Sequence, residues 1–426
     1  MEMAKPPRHQ SWENPRCGVF KSMGESRPMS REMCLKCKGG RLLCGHDHCP
    51  LLRKMDLQNP VQDRLKEEMF GPSPSVFVGW KDYPNVYVGP MTSLDEEAER
   101  LDNPGSWYGL GFDDIIRMRS LMVRGKQKRP VSDRTRFTEK MRELALSVRP
   151  VDVETHYKRK PHFSMSFSPV SQPMGASGDV RRFHVTENPV IPRKVDYVVS
   201  DELRSVDQVR NLFDKNFDVY YLTNVLASGS LGIEDDRKMV PTRWSITAVD
   251  DMLGKELMKR IRDYPCVNDF QVYENTYLEN HFEILLIPGA WEFEQFEAWS
   301  PQTLWTIGQS EHTIVQEHEG HGGRWEYAYN EGGGYYAGRF AVLEALHAMR
   351  RQARAIVFRE IYDSYIMPVG VWEVRENVRK AMESRPTNHA TLHQALEDIN
   401  TRLTIPVGKY AEKSEILKQR RITEYT

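Results

Sequence analysis

Four of the six cysteines fall within sixteen residues, as Cys34, Cys37, Cys44 and Cys49. Cys34 and Cys37 make a C-x2-C pair. Cys44 and Cys49 follow at C-x4-C spacing, with Gly39, Gly40 and Gly45 relieving the backbone between them. Thiolates at such spacing converge on one tetrahedral ion, and zinc takes four ligands of this kind. His46 and His48 are replacement ligands for any one cysteine. A closed set of four is structural rather than catalytic, and zinc binding offsets the small core of so short a module. The competing reading is four free thiols or a redox dithiol.

A second cluster reads EHTIVQEHEGHGGRWE, residues 311–326, with three histidines and four glutamates. Acid–base chemistry or a divalent metal is the chemistry it offers, with Glu317, His318, Glu319, His321 and Arg324 as the catalytic candidates. The zinc-protease signature HExxH does not fit. His318 and His321 are one residue too close, and Gly320, Gly322 and Gly323 break the helix that motif requires. A solvated acidic loop is the plain alternative.

A third stretch, YNEGGGYYAGRF, places Gly332, Gly333 and Gly334 before a helix start. Free N–H groups and the helix dipole make such an end an anion site. Arg339 in the first turns adds a phosphate contact, and Arg243 in PTRWS is a further candidate. Neither GxxxxGK[ST] nor GxGxxG is present, and close packing of helix on strand explains the glycines equally well. His162 and Asp250 are outlying candidates.

Elements must hold these groups. Val76–Val78 and Val86–Val88 read as a strand pair punctuated by Gly79, Pro84 and Gly89. Residues 112–126 and 133–148 have helical spacing. Pro161, Pro169, Pro173, Pro189 and Pro192 mark a long loop or edge strand over 161–192. Residues 195–199 and 218–222 suggest strands around a helix from Ser205. A helix with Asp250 as its N-cap ends near 263, and residues 270–290 hold one or two buried strands. One long helix spans Tyr335 to about Asp363, with Arg350, Arg351, Arg354 and Arg359 on its polar side. A shorter one covers Val371 to Met382.

The implied fold is α+β, a central sheet packed by helices. Residues 1–32 form an extension, 33–55 the cysteine module, 56–400 a core that divides near 200 if it divides at all, and 401–426 a flexible tail. Lys and Arg number 59 and Asp and Glu 60, for a net charge of −1. That balance hides a segment from Arg117 to Lys160 with net +9 and one from Tyr273 to Glu331 with net −10. No run approaches the roughly 20 apolar residues of a membrane helix. The first residues have no signal-peptide core, so the cytoplasm is the expected location.

Taken together, CLKCKGGRLLCG, PSVFVGWKDYPNVYVGPM, SQPMGAS, VPTRWSITAVDD, GGYYAGRFAVLEAL and RQARAIVFREIYDSYIMPVGVWEVRENVRKAM form a series that resembles the archaeal Nre family of DNA repair proteins. The resemblance runs from about Cys34 to Met382 and resumes at the C-terminus. It implies DNA repair, an N-terminal zinc module on the four cysteines, and a C-terminal motif for the replication sliding clamp (PCNA). It transfers no catalytic residues. The last eight residues, QRRITEYT, match the motif through Gln419, Ile422 and Tyr425. In a 3₁₀ turn, residues three apart share a face, so Ile422 and Tyr425 plug one hydrophobic pocket together. Arg420 and Arg421 favour an acidic clamp surface. Thr426 stands where a second aromatic is usual, which predicts weaker binding.

Three functions stay open on the sequence. The first is a repair factor recruited to the clamp, with structural zinc and with 117–160 on the DNA backbone. The second is a phosphoesterase, a nuclease or nucleotide phosphatase, with a second divalent metal in 311–339. The third is a pure adaptor.

Overall fold

The computed structural model describes residues 36–43, 48–163, 174–301, 303, 306, 309–365 and 367–418. Cys34, Cys44, His46, Gln419, Ile422 and Tyr425 lie outside them.

In chain order the first half runs α1 (Pro50–Gln62), β1 (Glu68–Ser73), β2 (Val76–Val78), β3 (Asn85–Ser93), α2 (Ala98–Leu101), α3 (Phe112–Ser120), β4 (Met122–Pro130), α4 (Arg136–Leu146), β5 (Val151–Tyr157) and β6 (Ser177–Val185). The second half runs α5 (Arg193–Ser200), α6 (Ser205–Phe213), α7 (Val219–Ala227), α8 (Thr242–Ile261), β7 (Phe270–Tyr277), β8 (Asn280–Ile287), β9 (Glu292–Trp299) and β10 (Thr313–Glu319). It then continues through α9 (Gly333–Met349), β11 (Arg354–Ile361), α10 (Trp372–Glu383), β12 (Thr387–His389), α11 (Leu392–Asn400), α12 (Val407–Ala411) and α13 (Glu415–Lys418).

The architecture is α+β, but with two six-stranded sheets rather than one central sheet. Their orders are β1-β5-β6-β4-β3-β2 and β10-β9-β11-β8-β7-β12. Each is antiparallel but for one parallel pair, β4 with β6 and β11 with β9. The inward valines of β2 and β3 pack on Ala227 and Met239 from the second half. The edge of β2 is closed by side chains, since Val76 N donates to Asn224 Oδ1 and Val78 N to Thr242 Oγ1.

Both faces of the second sheet are covered. Phe282, Ile284, Leu286, Ala355 and Val357 face the layer that contains α8, α9 and α10. Leu285, Ile287, Ile356 and Phe358 face Ile399, Ile405, Tyr410 and Ile416 of the C-terminal segment. That double burial explains the continuous apolar run ILLI, because a strand wet on neither side has no reason to alternate.

Three glutamates on the second face anchor the C-terminal segment. Glu283 pairs with Arg402 at 2.6 Å. Glu360 accepts from Thr404 N and Ile405 N, both at 2.8 Å, and from Tyr410 Oη at 3.0 Å. Glu294 accepts from Glu415 N at 2.6 Å and from the Ser414 hydroxyl. Residues 401–418 are therefore a packed part of the core and not of a flexible tail, and the rest of the expected tail lies outside the described residues.

Several local expectations are corrected. Residues 195–199 and 218–222 are helical. Asp218 caps α7 by accepting from Tyr220 N and Tyr221 N at 2.8 Å, which overrides the β preference of Val and Tyr. Residues 122–126 leave the helix and form β4. Asp250 is not an N-cap but lies inside α8, fully buried. The long helix stops at Met349, where Arg350 adopts a left-handed conformation at φ 54°. The chain then becomes β11, eight residues that are all buried. Arg354 and Arg359 are thus strand residues in the interior, not the polar face of a helix. No described helix is long and apolar enough to cross a membrane.

Candidate functional site: a buried carboxylate–arginine centre

The segment EFEQFEAW makes β9. It turns Phe293, Gln295 and Glu297 toward α9 and Glu294 and Phe296 away from it, as a strand's two-residue period requires. On the neighbouring β10 the same rule puts Glu317 and Glu319 on one face and His318 on the other. Gly334 and Gly338 let α9 settle on this surface. A Cβ at Gly338 would lie 2.2 Å from Gln295 Oε1, and one at Gly334 would lie 2.6 Å from Glu297 Oε1. Close helix–strand packing, rather than an exposed anion cradle, is what these glycines provide.

The carboxylates meet arginines from several elements. Arg339 is fully buried and donates to Glu319 Oε2 and to Asp251 Oδ1, each at 2.7 Å. Arg324 lies 2.8 Å from Glu317, which also accepts from Asn330 N at 2.8 Å. Arg359 donates to Glu297 at 2.6 Å, to Glu373 at 3.2 Å, and through two nitrogens to Asn280 Oδ1. Arg375 grips Asp250 with two bonds, at 3.1 and 2.5 Å. Each buried charge so paired avoids the several kcal/mol that an isolated one costs.

One acid is left over. Glu331 is buried, and neither of its oxygens meets a hydrogen-bond donor among the described residues. Burial, with the nearby Glu297 and Glu317 charges, holds its carboxyl well above the usual carboxylate range. Beside it, among the described residues, neither amide atom of Gln295 nor Glu319 Oε1 forms a hydrogen bond. Burial pushes the Tyr335 phenol well up, and Glu319 adds to the shift.

The structure thus brings together Glu317, Glu319, Arg324, Gly332, Gly333, Gly334 and Arg339. It separates them from the histidines: His318 points off the opposite face of β10, and His321 is exposed, its carbonyl accepting from Arg262. His162 is exposed in an isolated bridge to Ser177. The expected phosphate contacts are corrected on the same grounds. Arg339 has no exposed surface, and Gly333 and Gly334 abut Val371 and Glu297. Arg243 is exposed but distant from this centre, with its guanidinium 6.0 Å above the Trp80 ring. Gln295, Glu297, Glu331, Arg359 and Glu373 were not anticipated. No periodicity pointed to the first two, since the aromatics of EFEQFEAW fall three apart.

Two further places hold groups of chemical interest. Glu274, His281 and Glu283 lie close enough to share a cation, but Arg402 already contacts both glutamates, at 3.0 and 2.6 Å. Of the cysteine module, Cys37 and Cys49 are described. Backbone N–H groups, that of Leu43 foremost, lower the Cys37 thiol below its usual range, which suits a metal-bound thiolate. Cys49 stands at the N-cap of α1, where the helix dipole favours negative charge. A broad groove of about 1200 Å³, lined by residues that include Arg64, Lys66, Arg149, Asp95, Glu96 and Glu97, includes none of the expected residues.

Known proteins resemble this chain along nearly its whole length. The archaeal Nre N-terminal family matches residues 43–306, and the archaeal Nre C-terminal family matches residues 319–425. DNA repair protein NreA of Archaeoglobus fulgidus is 36% identical over 375 residues, covering 87% of this chain and 93% of the relative. DNA repair protein NreB of the same organism is 34% identical over 391 residues, covering 91% and 97%. DNA repair protein NreA of Haloferax volcanii is 34% identical over 378 residues, covering 84% and 90%. This chain belongs to the archaeal Nre family. The two family segments meet inside the second sheet, where β9 of the first pairs with β11 of the second. No solved structure matches.

Proposed function

We propose that this chain is a DNA repair factor brought to its substrate by the replication sliding clamp. The observation that carries the reading is the naming of its relatives as DNA repair proteins, with similarity over 84% or more of this chain. The anchoring of the C-terminal segment supports the clamp half. Glu294 and Glu360 hold the chain down to residues 414–416, just before Gln419. The clamp motif follows this pinned segment directly in sequence. Gln419, Ile422 and Tyr425 are its anchors, and Thr426 makes the contact a weak one.

A structural zinc on Cys34, Cys37, Cys44 and Cys49 belongs to the same proposal, supported by the thiolate-favouring surroundings of Cys37. Zinc there would stabilise the module and perform no reaction. The phosphoesterase reading is not favoured. Arg339, expected to hold phosphate, and Arg324, expected to be catalytic, are spent on carboxylates, and the histidines expected beside Glu317 and Glu319 point elsewhere.

The test is binding of the purified clamp to the full chain and to a chain lacking residues 419–426. The deletion is expected to weaken binding by about tenfold or more. Equal affinity would end the clamp reading. Metal analysis of the same sample tests the zinc, with about one equivalent per chain expected and its loss in Cys37→Ser.

A further inference from the structure

The first sheet carries on its outer face an arrangement that the clamp reading does not use. Residues i, i+2 and i+4 of a strand share a face, so Arg124, Lys126 and Lys128 of β4 line up over about 13 Å. Lys128 sits directly opposite Tyr87 of β3, which puts Tyr87 on the same face. Cations lie over rings there: Arg124 is 5.2 Å from the Phe77 centroid and Lys128 is 5.8 Å from that of Tyr87. At the hairpin tip, Arg243 covers Trp80 in the same way. Tyr87, Trp80 and Tyr83 are 37%, 42% and 43% exposed, large aromatic surface left in water.

The cations are crowded and poorly neutralised. Among the described residues no carboxylate forms an ion pair with Arg124, Lys126 or Lys54, and Arg124 Nε has no hydrogen-bond partner. Burial and Arg119 push the Arg124 guanidinium down to about 10, and Arg124 in turn weighs on Lys54 of α1. The carboxylate nearest Lys126 is Asp179, its register partner on β6. Lys128 alone has an ion pair, an exposed one with Asp82 at 2.9 Å. Like charges held together without counter-charges favour an anion between them.

We propose that this outer face binds single-stranded DNA. The phosphates lie along Lys126 and Lys128, beyond the covered end of the face at Arg124, and bases stack on Tyr87 and on Trp80 at the strand's exit. The cations alone would suit any polyanion. The exposed rings select single strands, because only unstacked bases offer their faces to aromatic side chains. The inference rests on the DNA repair reading and gives it a substrate class and a location.

The experiment is fluorescence anisotropy of a labelled oligothymidine of about 16 nucleotides, within the range of site sizes for such surfaces, titrated with full-length protein at several salt concentrations. A duplex of equal length serves as competitor. Tyr87→Ala is expected to weaken binding about tenfold, and Tyr87→Phe to restore it, since the ring and not the hydroxyl stacks. Lys126→Gln is expected to lower the slope of log K against log salt by about 0.7, the signature of one lost single-strand phosphate contact. Clamp binding by the same variants is expected to be unchanged. Wild-type binding that neither variant alters, or a duplex that competes as well as the single strand, would overturn the location and leave the repair reading in place. Failure of the wild-type chain to bind either DNA would remove both this inference and direct DNA contact from the repair reading.

Discussion

The segment from Arg117 to Lys160 carries net +9 and that from Tyr273 to Glu331 net −10, yet the fold treats them in opposite ways. The acidic segment forms strands β7 to β10, and most of its glutamates face inward. Glu283, Glu294, Glu297, Glu317, Glu319 and Glu331 are all buried. Those with partners meet arginines, as at Arg324, Arg339, Arg359 and Arg402, or backbone N–H groups of the C-terminal segment. The basic segment includes β4, whose long cations stand half-buried or exposed and largely without counter-charges. Linear charge therefore says little about accessibility. A run of one sign becomes internal scaffolding when opposite charges arrive from distant elements, and becomes a surface for an outside anion when none do.

This contrast can be broken first at Arg339. Replacing it by alanine leaves Glu319 and Asp251 without their shared cation, and is expected to cost about 3–5 kcal/mol in urea unfolding. A loss of well under 1 kcal/mol would mean that the centre is wetter and less interdependent than its geometry implies. Next comes the glycine that seats α9. Gly338→Ala drives a methyl into Gln295 Oε1 and is expected to lower stability by about 1–3 kcal/mol, visible as a lower thermal midpoint. A midpoint equal to wild type would show that the Gln295 side chain swings aside, or that the helix lifts off β9, without cost.

Glu331 sharpens the contrast through pH. Its folded-state pKa is raised, so the folded protein holds a proton that the unfolded chain releases. The stabilisation is complete below the unfolded pKa and is lost as pH rises through the folded one, at up to about 1.4 kcal/mol per pH unit. Glu331→Gln is expected to remove this part of the slope, leaving the variant more resistant to urea than wild type at pH 8 but not at pH 4. Glu373, raised to about 7 by burial, supplies a similar loss that remains in both proteins. Unfolding curves for the two chains that stay parallel across that range would refute the assignment. The smallest effect is expected on the basic side. Lys126→Gln is expected to change stability by no more than about 0.5 kcal/mol, because the face it leaves is not part of the scaffold. A larger loss would make β4's cations structural after all.

Much of the coarse plan was legible. The strand pair at 76–88, the helix from Ser205, the buried strands of 270–290 and the helix from Trp372 follow from period, turn residues and apolar runs. The grouping of Glu317, Glu319, Arg324 and Arg339 in one place was also within reach, because they are close in sequence. The end of α9 was not. AMRRQARAIVF continues an apolar, arginine-rich pattern with no Gly or Pro, and only pairing of β11 with β8 and β9 turns it into a strand.

By itself the sequence determined the family, the α+β class, and the separation of charge along the chain. These depend on residue order and on contacts within a few positions. The tertiary structure alone decided that Asp250 meets Arg375, that Glu297 meets Arg359, and that Glu294 and Glu360 fasten residues 404–416 to the second sheet. It also decided that Arg124, Lys126 and Tyr87 share an outer face. The reason is physical. A carboxylate's role depends on which charge or amide folding brings within about 3 Å of it, and the partners just named lie from 44 to 125 residues away.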